Sequence, residues 1–203
     1  VKEKVNLMRK STVTRKTKET NIELKLNLDG SGLYNIDTGI PFLDHMLELF
    51  SKHGFFDLEL KAVGDLAVDC HHTIEDIGLV LGQALADALE DKAGIRRYGF
   101  FILPMDETRI TVTLDLSGRP YLIYDVEPPN KNINNIDVRL FHEFFQALAV
   151  KAGMNLHIVQ NSGGETHHII EAVFKAFAKA LDIATSFDPR LKGEVLSTKG
   201  ILF

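Results

Sequence analysis

The 203-residue chain is predicted to be a doubled α+β sandwich, two tandem repeats that each pack a β-sheet against helices. Three observations predict it. Alternating apolar segments recur 88 residues apart, His-His-x-x-Glu segments recur 96 residues apart, and in each half strand-like runs give way to helix-like runs. Residues 19–30 read E-T-N-I-E-L-K-L-N-L-D-G, and residues 107–118 read E-T-R-I-T-V-T-L-D-L-S-G. Both alternate apolar and polar positions and end at glycine, the pattern of a half-buried strand entering a turn. Ile22, Leu24, Leu26 and Leu28 share one face, with Ile110, Val112, Leu114 and Leu116 as counterparts. D-C-H-H-T-I-E-D-I (69–77) matches E-T-H-H-I-I-E-A-V (165–173), and a third match between residues 41–50 and 138–147 sets His45 on His142. The offset drifts through 88, 97 and 96, as short loop insertions produce. The repeats are expected to span 1–95 and 96–203, with their boundary near 93–97.

In the first half, a strand at 19–28 leads to another near 33–38. A helix follows at about 41–53, with Pro41 in its first turn and Gly54 just past its end. Its apolar stripe is Phe42, Leu43, Met46, Leu47 and Phe50. Residues 55–63 read as a strand, and 71–90 as a long helix in which Ile74, Ile77, Leu81, Ala84, Leu85 and Ala88 recur at helical spacing. The second half offers strands near 97–104, 107–116 and 120–126, and helices near 137–152 and 165–184. Pro128-Pro129 and the Asn-rich run 130–135 mark its longest loop.

Composition removes several function classes. The 45% hydrophobic and 25% charged content is that of a soluble globular protein, and no apolar run approaches the roughly 18 residues that span a bilayer. A net charge of −5 gives no global attraction to nucleic acid or acidic membranes. Neither is expected as a partner, and an anionic substrate would need a local cluster of cations. The basic N-terminal run (Lys2, Lys4, Arg9, Lys10, Arg15, Lys16, Lys18) lacks the apolar segment of a secretory signal and reads as a flexible arm. Lone Cys70 excludes an internal disulfide and a Cys-rich zinc module, so a reducing compartment is expected. That means the cytoplasm, or a plastid if a transit peptide has been removed.

The duplicated histidines point to metal. Positions i and i+4 of a helix lie on one face, so His71 with Glu75, and His167 with Glu171, can each grip one ion. His72 and His168 sit one residue along, about 100° around the helix, and would face a different ion. Adding His45 and His142 gives six histidines and two glutamates. Divided by symmetry, each of two ions receives three imidazoles and one carboxylate, and an octahedral ion keeps two places open. Such a set without thiolate suits Mn, Fe, Co, Ni or Zn in a catalytic role rather than a closed structural zinc.

The segments T-G-I-P-F-L-D-H-M-L (38–47), D-C-H-H-T-I-E-D-I-G (69–78), P-M-D-E (104–107), D-L-S-G-R-P (115–120), H-H-I-I-E-A-V-F-K-A (167–176) and S-T-K-G (197–200) resemble the imidazoleglycerol-phosphate dehydratase family, in its stand-alone form. The resemblance implies tandem repeats of the ribosomal protein S5 domain 2-like type, each a four-stranded sheet on two helices related by a pseudo-twofold. It implies a homo-oligomer of 24 subunits with sites at subunit interfaces and two Mn2+ per site. One ion would be held by His71, Glu75, His142 and His168, the other by His45, His72, His167 and Glu171. Arg97, Arg119, Lys175, Ser197, Thr198 and Lys199 match phosphate-binding positions, with Lys52 and His53 as further substrate contacts. Glu19 is implied as the proton shuttle, beside Glu75 and Glu171 as the catalytic metal-site carboxylates. Two departures stand out. Residues 163–166 lack the asparagine usual before the second His-His pair, and Leu196 stands where proline commonly precedes S-T-K-G.

The implied reaction removes water from imidazoleglycerol phosphate to give imidazoleacetol phosphate in histidine biosynthesis. The carbon-bound proton has no adjacent carbonyl to acidify it, so the substrate ring must act as electron sink. Two metals would hold that ring as imidazolate, a diazafulvene-like species would follow loss of the hydroxyl, and an enol would tautomerise to the ketone. Two alternatives remain on the residues alone. One is a dinuclear metal hydrolase of a small phosphate ester, which would want more Asp ligands. The other is a metal-stapled structural assembly, which would not want open coordination places.

Overall fold

The computed structural model describes residues 9–202. Two four-stranded sheets carry the same topology. The first takes β1 (Lys10–Lys16), β2 (Thr20–Asn27), β4 (Asp57–Gly64) and β3 (Tyr34–Asp37) in that spatial order. The second takes β5 (Tyr98–Met105), β6 (Thr108–Asp115), β10 (Asn155–Ser162) and β7 (Tyr121–Asp125). In each, the last two strands run parallel and are joined by a helix, α1 (Pro41–Gly54) or α3 (Leu140–Ala152). The other pairings are antiparallel. A long helix closes each repeat, α2 (His71–Leu89) and α4 (Thr166–Thr185). The Asn-rich loop carries a small hairpin, β8 (Asn132–Ile133) with β9 (Ile136–Asp137).

Two strands escape the sequence reading, and both complete a sheet. Residues 1–8 of the basic N-terminal run lie outside the described residues, but Lys10–Lys16 is an edge strand rather than an arm. Its inward positions are Ser11, Val13 and Arg15, so hydrophobic periodicity, which detects half-buried strands, has one residue to work with. Ser11 Oγ donates to the Ala84 carbonyl of α2 (2.8 Å), and Arg15 pairs with Asp76 (2.8 Å). Strand β10 is likewise unannounced, because it ends in polar residues and bulges between Gln160 and Ser162.

The core lies between the sheets and the helices and runs unbroken through both repeats. Strands β2 and β6 bury every second residue, as their alternation requires. The helices dovetail across the repeats: α1 packs on α4, and α3 on α2. On α2, a Cβ at Gly78 would come within 2.5 Å of the Phe144 carbonyl of α3, and one at Gly82 within 2.6 Å of that of Leu148. Glycine at i and i+4 therefore sets how closely these helices approach. Aromatic rings fill the other junctions, with Phe42 against Phe141 (6.0 Å), Phe50 stacked on Phe177 (5.7 Å) and Phe145 against Phe174 (5.1 Å). Helix α1 runs through Gly54, and Phe55 takes the left-handed cap at φ 58°. Gly54 is needed for space instead, since its Cβ would strike the Phe56 ring.

The outer faces differ. That of the first sheet is mainly polar, with Lys25 paired to Glu59 (2.8 Å) and Val63 exposed. That of the second exposes Tyr98, Phe100, Ile102, Tyr121 and Ile123. Among the described residues no helix is long and apolar enough to cross a membrane.

Candidate active site

The dovetailed helices decide which histidines meet. His45 projects from α1, and His167 and Glu171 from the first turns of α4. Glu171 Oε2 lies 3.3 Å from His45 Nε2 and 3.2 Å from His167 Nε2. The three donor atoms all lie within 4.8 Å of one another, the one such group of three among the described residues. Lys175, one turn further along α4, pairs with the other oxygen of Glu171. Burial pushes the Glu171 carboxyl up, but the Lys175 ammonium and the two imidazoles outweigh it and hold it below the usual carboxylate range. The Phe42 ring meets the His167 ring edge-on at 5.3 Å and supports it.

The repeat-related half is looser. His71 Nε2 lies 3.4 Å from Glu75 Oε2, again at i and i+4. His142, the counterpart of His45, turns its Nδ1 to Glu143 (3.1 Å) and sets its ring against Tyr124 (5.7 Å). This chain brings His71 to Glu75 without gathering His142 beside them.

His72 and His168 face elsewhere, as their offset around the helix predicts. His72 Nδ1 is 3.0 Å from Asp65 and its Nε2 is 3.9 Å from Glu19; hydrogen bonding to Asp65 raises its pKa. His168 Nδ1 is 3.1 Å from Glu107, which raises the His168 pKa and draws that of Glu107 down to about 2. Glu19 sits on a pinned turn. Thr17 Oγ1 accepts the Glu19 and Thr20 amides (3.0 and 2.9 Å), and Thr20 Oγ1 donates to buried Asp76 of α2 (2.5 Å). Asp65 and Asp76 are neighbours of these candidate residues that the sequence does not announce, since isolated acids in a loop or on a helix face carry no period.

Five of the residues expected to bind phosphate converge. Arg97, Arg119, Ser197, Thr198 and Lys199 line one open pocket of about 790 Å³ with Tyr98, Leu196 and Ile201. Arg97, at φ 71°, is held by Asp115 (2.7 and 3.0 Å) and donates to the Leu196 carbonyl (2.8 Å). Hydrogen bonding to Asp115 raises its pKa and keeps it charged. Leu196, the residue in place of proline, thus contributes its carbonyl to the pocket wall. Lys175 is not in this pocket but on Glu171, and His53 lies near it. Burial, then Lys175 and Lys179, lower the His53 pKa and favour a neutral ring. Lys52 lies near Gly32, outside the pocket as well. At the first departure, Glu165 caps α4 by accepting the His168 amide (2.8 Å), taking the place of the expected asparagine.

The chain is similar to known proteins over nearly its whole length. The family model of imidazoleglycerol-phosphate dehydratase matches residues 38–181. An imidazoleglycerol-phosphate dehydratase of Lachnoclostridium phytofermentans is 59% identical over 192 residues, covering 95% of this chain and 97% of its own. One of Acetivibrio thermocellus is 57% identical over 194 residues, covering 96% and 99%. The crystal structure of imidazoleglycerol-phosphate dehydratase from Staphylococcus aureus superposes with a TM-score of 0.81 at 39% identity, covering 88% of this chain and 99% of that one. With the doubled fold and the duplicated motif, these likenesses identify the chain as a member of the imidazoleglycerol-phosphate dehydratase family of hydro-lyases.

Proposed function

We propose that this chain dehydrates imidazoleglycerol phosphate to imidazoleacetol phosphate, a step of histidine biosynthesis in the cytoplasm, at a site holding two manganese ions. The observation that carries the reading is the meeting of His45 from one repeat with His167 and Glu171 from the other in a ligand-sized space. Imidazole and carboxylate donors without thiolate fit a catalytic divalent cation, and Lys175 on the far oxygen of Glu171 leaves the near one facing the imidazoles. When bound, two such cations supply the positive charge that stabilises the substrate ring as an imidazolate.

The protein groups divide the remaining work. His71 and Glu75, with His142, form the second donor set by repeat. His72 and His168, which do not join the donors of their own chain, complete sites shared with neighbouring copies. That arrangement is the reason for a homo-oligomer, taken as 24 subunits with sites at the interfaces. Glu19 takes the carbon-bound proton and delivers one to the departing hydroxyl, from a turn fixed by Thr17 and by Thr20 on Asp76. Arg97, Arg119, Ser197, Thr198 and Lys199 hold the phosphate through charge-assisted hydrogen bonds. Lys175, Lys52 and His53 serve the substrate from the metal end.

Turnover tests this directly. Manganese-loaded protein should convert imidazoleglycerol phosphate to an enolisable ketone and release no phosphate from simple phosphate esters. Phosphate release without ketone would replace the reading with a hydrolase.

A further inference from the structure

His72 and His168 are each gripped on one ring nitrogen, but by carboxylates from different places. His72 Nδ1 lies 3.0 Å from Asp65, in the loop after β4, and His168 Nδ1 lies 3.1 Å from Glu107, in the turn before β6. In the first repeat Thr20 pairs across the ladder with Gly64, so Asp65 is the next residue. In the second, the bulge after Gln160 shifts the chain by one, and the glycine against Thr108 is Gly163. The position of Asp65 thus falls to Gly164, which has no side chain. Glu107 takes over there. Its Oε1 accepts the Glu165 amide (3.1 Å) and the Thr108 hydroxyl (2.9 Å), and its Oε2 faces His168.

By the repeat register, Glu107 corresponds to Glu19, and Thr108 to Thr20. Thr20 instead donates to Asp76, whose counterpart on α4 is Ala172. The first repeat therefore has two acids, Asp65 and Asp76, for what Glu107 does alone in the second.

We propose that Asp65 and Glu107 are positioning residues that accept the Nδ1 proton of His72 and His168, fix the tautomer and turn Nε2 outward as the metal donor. In the first repeat Asp65 takes Nδ1, so the Glu19 carboxylate, 3.9 Å from His72 Nε2, is not needed for that role. A neutral imidazole has one donor and one acceptor nitrogen, so an acceptor held at Nδ1 leaves the lone pair at Nε2. The inference rests on the proposed role of His72 and His168 as metal donors.

The test is calorimetric titration of manganese into chelator-stripped, full-length protein, with metal content and the thermal midpoint of each stripped variant measured alongside. Asp65→Ala and Glu107→Ala should each weaken manganese binding about 10–100-fold. Asp65→Asn, whose carbonyl still accepts the Nδ1 proton, should recover most of that loss. Glu107→Ala combined with His168→Ala should bind no more weakly than His168→Ala alone, because the carboxylate acts through that ring. A lower thermal midpoint with unchanged affinity, or additive losses in the double variant, would overturn the proposal and leave Glu107 as a helix-start cap. If His72→Ala and His168→Ala themselves bind like the wild type, the metal reading fails and takes this inference with it. Weakened histidine variants beside unaffected carboxylate variants defeat this inference alone.

Discussion

The two repeats share strand order, helix placement and the His-His-x-x-Glu motif, yet their surroundings have diverged. In the second, Glu171 is buried and Lys175 balances it from i+4. In the first, Glu75 is half exposed and Leu79 stands where that lysine would be. Arg9 and Arg97 are likewise repeat equivalents with different settings. Arg9 pairs with Asp29 and lies over the Phe187 ring, while Arg97 pairs with Asp115 and lines the candidate phosphate pocket. The pocket needs residues 195–202, which follow α4 and fold against Arg97. The corresponding stretch after α2 leads straight into β5. Duplication thus preserved the His/Glu pairs, whereas the candidate phosphate pocket and the candidate proton carrier each belong to one side.

Substitutions can break or sharpen that comparison. The largest effects should come from the donors that remained alike. Glu171→Gln and Glu75→Gln should each lower activity about 10⁴-fold, with loss of bound metal and of particle mass together, because a charge-stabilising cation contributes several kcal/mol. Metal analysis beside mass measurement checks this, and full activity with unchanged metal content in either variant would end the equivalence. Next come the diverged glutamates. Glu19→Gln should reduce kcat about 10²–10⁴-fold at wild-type metal content, while Glu107→Gln at saturating manganese should retain most of it. Equal losses would mean that position in the repeat, not environment, sets the role.

Packing follows. A Cβ at Gly99 of β5 would meet the Ala180 carbonyl of α4 at 1.9 Å. Gly99→Ala should therefore destabilise by about 3 kcal/mol in thermal or denaturant melts. The anion side should respond more gently. Lys199→Ala should raise KM about tenfold with kcat little changed, as loss of one charged contact to phosphate predicts. The smallest effect is expected at Ser11, the repeat counterpart of Gly99, whose hydroxyl meets the Ala84 carbonyl that corresponds to Ala180. Ser11→Ala should cost about 1 kcal/mol.

These residues also mark what the sequence could convey. Strands β2 and β6 were legible because every second residue is buried, and α2 and α4 because their apolar residues recur at helical spacing. Strand β1 was not, because its inward side holds on by a serine hydroxyl and an arginine instead of a row of apolar groups. In the site, His71 with Glu75 and His167 with Glu171 follow from helix geometry alone. The grip of Asp65 on His72 does not, since it depends on how a loop returns after β4. The candidate phosphate-binding residues lie more than a hundred positions apart, at Arg97 and Lys199, and only the fold of the C-terminal segment unites them. Resemblance supplied that grouping in advance, and periodicity could not have.

The crossing of α1 onto α4 and of α3 onto α2 has an evolutionary corollary. The group of His45, His167 and Glu171 draws one imidazole from one half and a His/Glu pair from the other, so a solitary half-length ancestor would have held the pair without that imidazole. Two identical copies, paired about the axis that now relates the repeats, would have brought those three groups together. Gene fusion of such a dimer keeps the geometry while releasing each copy to change independently, and the Gly78 and Gly82 seam on α2, answered by Phe174 and Ala178 on α4, records that release.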